Sequence, residues 1–116
     1  MTITRFDPGK RLAGAVRHGN TLYIAGTVAD TITGSVEQQT REILAKIDDL
    51  LAKGGSSKAK LLSVNIFLSN ILDFDEMNKV WDSWVDASNL PARATIESRL
   101  ADPNLRVEIM AIAAAD

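Results

Sequence analysis

Cysteine is missing from this chain of 116 residues, and histidine occurs only once. The absence of thiols excludes disulfides, thiolate nucleophiles, iron–sulfur clusters and cysteine-based zinc sites. The one histidine, His18, lies in a predicted turn, where polar residues are usually solvated, so a histidine-based catalytic triad is disfavoured. We therefore expect neither a metal nor a cofactor.

The chain also lacks an excess of one charge and a long apolar run. Its net charge is -2 and its isoelectric point about 5.3, so bulk charge offers little attraction to nucleic acid or anionic membranes. The longest apolar run, Ile109 to Ala115, is too short to cross a bilayer, and residues 1–8 do not resemble a signal peptide. We expect a cytoplasmic protein without nucleic-acid or membrane partners.

Two helices are predicted within a single domain spanning residues 1–116. Ser35 to Gln38 has the form of a capping box, apolar residues then recur at helical spacing, and Gly54-Gly55 ends the pattern. The first helix is therefore predicted over Val36 to Lys53. Asp73 is predicted to cap a second helix from Phe74 to Ala87, which is broken by the Asn-Leu-Pro sequence that follows.

Six further segments read as strands because they are apolar, rich in β-branched residues or bounded by turn residues. The predicted strands are Thr2–Phe6, Leu12–Arg17, Thr21–Ala25, Leu61–Leu68, Ala92–Leu100 and Leu105–Ala114. His18-Gly19-Asn20 joins the second and third strands as a hairpin. The order β-β-β-α-β-α-β-β predicts an α+β fold, with one mixed six-stranded sheet and two helices on one face.

The last strand is apolar on both faces, which carries information about assembly. Val107, Ile109 and Ala111 point one way, whereas Met110 and Ile112 point the other way. A strand of this kind needs cover on both faces. Two helices can cover only one face, so we expect another subunit to cover the other.

Arg93 and Glu108 are the candidate functional residues, because each lies in an otherwise apolar strand. A guanidinium in that setting needs an anionic partner, since burying it unpaired is costly. The partner could be a carboxylate of the chain, such as Glu108 or Glu97, or the carboxylate of a ligand held by two parallel hydrogen bonds. Glu108 could likewise be part of a structural pair or serve in proton transfer.

These residues lie in motifs that resemble a known family. Pro91-Ala92-Arg93, followed fifteen positions after the arginine by Glu108 in Val-Glu-Ile-x-Ala-Ile-Ala, is similar to the C-terminal signature of the RidA (YjgF) family. The hairpin ending in Ala25-Gly26, the helix ending in Gly54-Gly55, and Asp73-Phe74 opening the second helix also match. The resemblance covers nearly the whole chain.

The resemblance implies a chorismate-mutase-like fold and a homotrimer whose sheets form a central barrel, with clefts between subunits. It also implies hydrolysis of enamines and imines, such as 2-aminoacrylate and 2-iminopropionate, to 2-keto acids and ammonia without a metal. Arg93 would bind the substrate carboxylate and Glu108 would orient or activate water. Gly26 and Thr95 would contact the ligand through backbone groups.

The sequence departs from the family pattern at several positions and is closer to short YoaB-like members. Leu12 lies in the region where a tyrosine often lines the cleft, Ala25 replaces a frequent serine, and Met110 replaces a frequent second glutamate. Two alternatives stay open. The cleft could bind a small carboxylate without turnover, or the protein could be a ribonuclease, which the acidic isoelectric point disfavours.

Overall fold

Strands and helices follow one another in the predicted order along the chain. The computed structural model describes residues 1–116. Its strands and helices are β1 (Ile3–Pro8), β2 (Ala13–His18), β3 (Thr21–Thr27), α1 (Val36–Lys53), β4 (Leu61–Leu68), α2 (Phe74–Trp84), β5 (Ala92–Glu97) and β6 (Val107–Ala114). No helix is both long and apolar enough to span a membrane.

The strands form one six-stranded sheet in the order β1-β2-β3-β6-β4-β5. β4 and β5 are parallel and are connected through α2, whereas all other neighbouring strands are antiparallel. Gly19 and Asn20 form the turn between β2 and β3, where Gly19 has a φ of 61°, a conformation that favours glycine. The mixed sheet and the hairpin are therefore confirmed.

Helix α1 has the predicted bounds because both end signals operate. The Ser35 side chain accepts a hydrogen bond from the Gln38 backbone N–H at 3.1 Å, and the helix ends at Gly54. Its apolar stripe is buried between α2 and the strands β3 and β6.

The end of α2 and the capping role of Asp73 were predicted wrongly. The helix ends at Trp84 instead of Ala87, since Val85 is extended (φ -64°, ψ 146°). Asp73 makes no capping hydrogen bond. Asn70 does so one turn earlier, where its Oδ1 accepts from the Leu72 N–H at 3.0 Å and stabilises a short 3-10 turn before the helix.

The strand ends also differ from the prediction by a few residues. The first three strands each end one or two residues later than predicted, and the first two also begin one residue later. By contrast, β5 stops at Glu97 instead of Leu100, and β6 begins at Val107 instead of Leu105. Leu105 donates its N–H to the Asp102 carbonyl at 3.1 Å, so this segment forms a turn between the strands.

The two faces of the sheet have different surroundings. On β6, Val107, Ile109 and Ala111 are buried beneath the helices. On the opposite face of the sheet, Tyr23 of β3 is 48% exposed and Met110 of β6 is 36% exposed. The prediction of two apolar faces on the last strand is confirmed, and within this chain the second face is open.

Candidate active site

Arg93 lies on the edge strand β5 and points towards the helices. It is paired in register with Val64 of β4, which is buried on the helix side of the sheet. Paired residues of neighbouring strands share a face, so the Arg93 side chain extends towards α2.

Three residues of α2 hold the Arg93 guanidinium. Its Nη1 donates a hydrogen bond to Asn78 Oδ1 at 2.8 Å. Its Cζ atom lies 5.2 Å from the Trp81 ring centre and 5.8 Å from the Phe74 ring centre. Both ring distances are within the range of cation–π attraction. The side chain is therefore oriented by a neutral acceptor and two aromatic rings.

No carboxylate of the chain forms an ion pair with Arg93. Glu97 instead accepts a hydrogen bond from the Ile71 N–H at 3.0 Å, and Glu108 lies on the other face of the sheet. Partial burial lowers the pKa of Arg93, and the more distant charge of Asp82 opposes that shift. An arginine retains its proton at neutral pH, so this cation is available to an external anion.

Thr95 is two residues beyond Arg93 and faces the same side of the sheet. It pairs with Ile66, which is fully buried under the helices. Its Oγ1 atom is buried and has no hydrogen-bond partner. A buried polar atom left unpaired costs about 1–3 kcal/mol of stability. The backbone contact between Thr95 and a ligand stays a prediction.

Glu108 lies against Gly26 on the open face. Glu108 pairs with Phe67 of β4, and its side chain extends over Gly26 of β3. A methyl group at Gly26 would overlap a Glu108 carboxylate oxygen and would lie 3.1 Å from Cδ. The carboxylate has no ion-pair partner in the chain. Glycine at this position therefore makes room for the glutamate.

A bulge in β3 places Gly26 at this point. The register of β3 on β6 shifts between Ile24, which pairs with Ala111, and Thr27, which pairs with Ile109. Two residues of β3 thus oppose one residue of β6, and the strand bends locally. Bulges of this kind often adjoin active sites because they redirect neighbouring groups.

A cleft of about 680 Å³ opens beside the bulge, between the end of β3 and α1. Leu12, Ala25 and Gly26 contribute to its wall. Leu12 is 64% exposed, so an exposed aliphatic side chain lies at the mouth of this cleft. Glu42 also lines the cleft, and hydrogen bonds from backbone N–H groups, chiefly that of Thr31, lower its pKa.

The predicted site residues fall into two pairs on opposite faces of one chain. Arg93 and Thr95 form the first pair on the helix side of β5, and Glu108 and Gly26 form the second on the open side. Strand β4 separates β5 from β6. A small ligand cannot contact both pairs within one subunit.

Sequence reasoning did not identify Asn78 as a neighbour of Arg93. A usable signal was present, because Phe74, Asn78 and Trp81 recur at intervals of four and three residues on one face of a helix. Trp81 is buried in the core. A single amide within an apolar helical stripe indicates a buried polar partner, here the guanidinium.

The chain is similar to known proteins over nearly its full length. Residues 2–115 match the family model described as Endoribonuclease L-PSP. A RutC family protein of Haemophilus influenzae is 46% identical over 114 residues, covering 97% of this chain and 98% of that protein. The RutC family protein YoaB of Escherichia coli is 43% identical over 114 residues, covering 98% and 99%.

A solved structure gives the same assignment. A member of the YjgF protein family from Neisseria meningitidis superimposes with a TM-score of 0.96 at 41% identity, covering 100% of this chain and 97% of that chain. Sequence and fold agree along the whole molecule. This chain therefore belongs to the YjgF (RidA) family and is similar to its YoaB-like members.

Proposed function

We propose that this protein hydrolyses small imino and enamino acids of the 2-iminopropionate and 2-aminoacrylate type to 2-keto acids and ammonia. The observation that carries the proposal is the Arg93 guanidinium, which is held in place by Asn78 and two aromatic rings yet has no anionic partner. A cation prepared in this way suits a substrate carboxylate, which can accept two parallel hydrogen bonds from it.

We further propose that the active site forms between subunits of a homotrimer. The two half-sites lie on opposite faces of each chain, and β5 is an edge strand whose outer side is free. The open face carries exposed apolar side chains, among them Tyr23, Ile96 and Met110, and such patches mark subunit contacts. In a cyclic assembly, Arg93 of one subunit would approach Glu108 of the next.

The proposed hydrolysis requires only side chains that position the substrate and transfer protons. Arg93 binds the carboxylate and fixes the imine carbon, which is already electrophilic. Glu108 accepts a proton from a water molecule that attacks this carbon, and the proton is delivered to the imine nitrogen. The C–N bond of the resulting carbinolamine then breaks as its hydroxyl proton is transferred to the nitrogen through Glu108, and ammonia and the keto acid leave. An enamine first takes a proton on its terminal carbon and gives up one from its nitrogen, which converts it to the imine.

The family name favours a second candidate, cleavage of RNA, but the surface does not. The net charge of -2 provides no basic footprint for phosphates. The single histidine, His18, is exposed at the β2–β3 turn and adjoins neither half-site. Binding of a small carboxylate without turnover is the third candidate, since Arg93 alone suffices for it.

We expect purified protein to accelerate the release of pyruvate from 2-iminopropionate generated in situ. The matched reaction without protein gives the rate of spontaneous hydrolysis and is the baseline. Isothermal titration with pyruvate or 2-ketobutyrate is run in parallel. Carboxylate binding without faster hydrolysis would show a binding protein and not an enzyme. Cleavage of an RNA pool, with neither carboxylate binding nor faster hydrolysis, would favour the ribonuclease.

A further inference from the structure

Asn78 holds the Arg93 guanidinium without neutralising it. The amide oxygen of Asn78 accepts from Nη1 at 2.8 Å. An aspartate at the same position could accept the same hydrogen bond and would add a full negative charge. Ion pairing of that kind would satisfy Arg93 within its own chain and compete with any external anion. The neutral amide orients the side chain and leaves its charge for a ligand.

The contacts of Arg93 also show which of its N–H groups are free to bind a ligand. Nη1 is engaged by Asn78, and the rings of Trp81 and Phe74 lie against the group. The N–H groups on Nε and Nη2 form no hydrogen bond within the chain. Two adjacent N–H groups along one edge match the two oxygens of a carboxylate. Thr95 Oγ1, which is buried and unpaired, is on the same side of the strand.

We propose that Asn78 is the positioning residue of this site: it keeps the Nε–Nη2 edge of Arg93 directed outward, and its neutrality reserves the positive charge for a ligand carboxylate. The inference rests on the proposed function for the identity of that ligand. It does not require that the ligand be turned over.

Substitution of Asn78 by aspartate and by alanine separates this role from a packing role. We expect Asn78→Asp to weaken the binding of 2-ketobutyrate by at least about tenfold, because the introduced carboxylate takes up the charge of Arg93. Asn78→Ala should weaken binding by only about two- to fivefold, since the charge stays free and only one orienting hydrogen bond is lost. Aspartate, the closer isostere, is thus expected to be the more harmful change.

The measurements are calorimetric titration with 2-ketobutyrate, steady-state kinetics on 2-iminopropionate and thermal denaturation. Asn104→Asp is the matched control, because Asn104 is exposed and its side chain forms no hydrogen bond. This variant adds the same negative charge at a position remote from Arg93. We expect the Asn78→Asp protein to melt at or above the wild-type temperature while KM rises more than kcat falls.

A packing role predicts the opposite order, with aspartate milder than alanine in both binding and stability. That order, or binding by Asn78→Asp within about twofold of wild type, would overturn the inference. If wild type binds 2-ketobutyrate but does not hydrolyse the imine, and Asn78→Asp loses binding, the proposed hydrolysis fails and the role of Asn78 stands. Should the aspartate variant not fold, normal binding by Asn78→Ala would overturn the inference.

Discussion

Arg93→Ala should abolish measurable hydrolysis of 2-imino acids while the protein stays folded and assembled. The substitution removes both hydrogen bonds to the substrate carboxylate, and each charge-assisted bond contributes roughly 1.5–3 kcal/mol. We expect kcat/KM to fall by about 10²-fold or more, since 1.4 kcal/mol corresponds to a factor of ten. Arg93→Lys should also be poor, because an ammonium cannot reproduce the planar two-bond geometry. Steady-state kinetics and calorimetric titration with pyruvate measure the loss.

The melting temperature of the same variant tests whether Arg93 is structural. A buried ion pair broken on one side costs about 3–5 kcal/mol, and the structure contains no such pair at Arg93. What is lost is cation–π contact with Trp81 and Phe74, which contributes about 0.5–1 kcal/mol at partly exposed sites, and one hydrogen bond. A folded variant with normal kinetics would remove Arg93 from the site.

Glu108→Gln should slow turnover by about 10²–10⁴-fold, the usual contribution of general acid–base catalysis. Amide and carboxylate have nearly the same shape, so the side chain can still lie over Gly26 without disturbing the bulge. The amide cannot accept the proton of the attacking water. We expect affinity for 2-ketobutyrate to change little, because Arg93 provides the carboxylate contact. The measurements are kcat, KM and ligand affinity.

Comparing the two variants separates the binding role of Arg93 from the proton-transfer role of Glu108. Arg93→Ala should lose binding and turnover together, whereas Glu108→Gln should lose turnover alone. Unchanged kcat in Glu108→Gln would assign Glu108 to subunit packing on the open face. Loss of folding in this variant would point to a structural carboxylate with a donor on a neighbouring subunit.

The sequence was sufficient to predict the elements and the kind of sheet, because these depend on local pattern. Helix α1 could be bounded from Ser35 and Gly54, and β4 from a run of apolar and β-branched residues between Leu61 and Leu68. The two-sided apolar pattern of β6 correctly indicated an open face. The capping role predicted for Asp73 was wrong, because Asn70, three residues earlier, forms the hydrogen bond that caps the preceding turn.

The arrangement of the site could not be predicted, because it depends on pairing between distant segments. Arg93 faces the helices only because β5 pairs in parallel with β4 so that it meets Val64. Glu108 faces away only because β6 places it beside Phe67. A shift of one residue in either register would reverse that side chain. The sequence therefore suggested both residues but could not tell that one chain separates them.

The central claim is that Arg93 of one subunit and Glu108 of another form one active site. Co-expression of Arg93→Ala chains with Glu108→Gln chains, followed by assay of the assembled protein, tests it most directly. In a cyclic trimer every mixed assembly contains one interface with both native residues, so random mixing should restore about a quarter of wild-type activity. Light scattering on the same sample should give the mass of three chains. Mixed assemblies as inactive as the two parent variants would contradict the shared site.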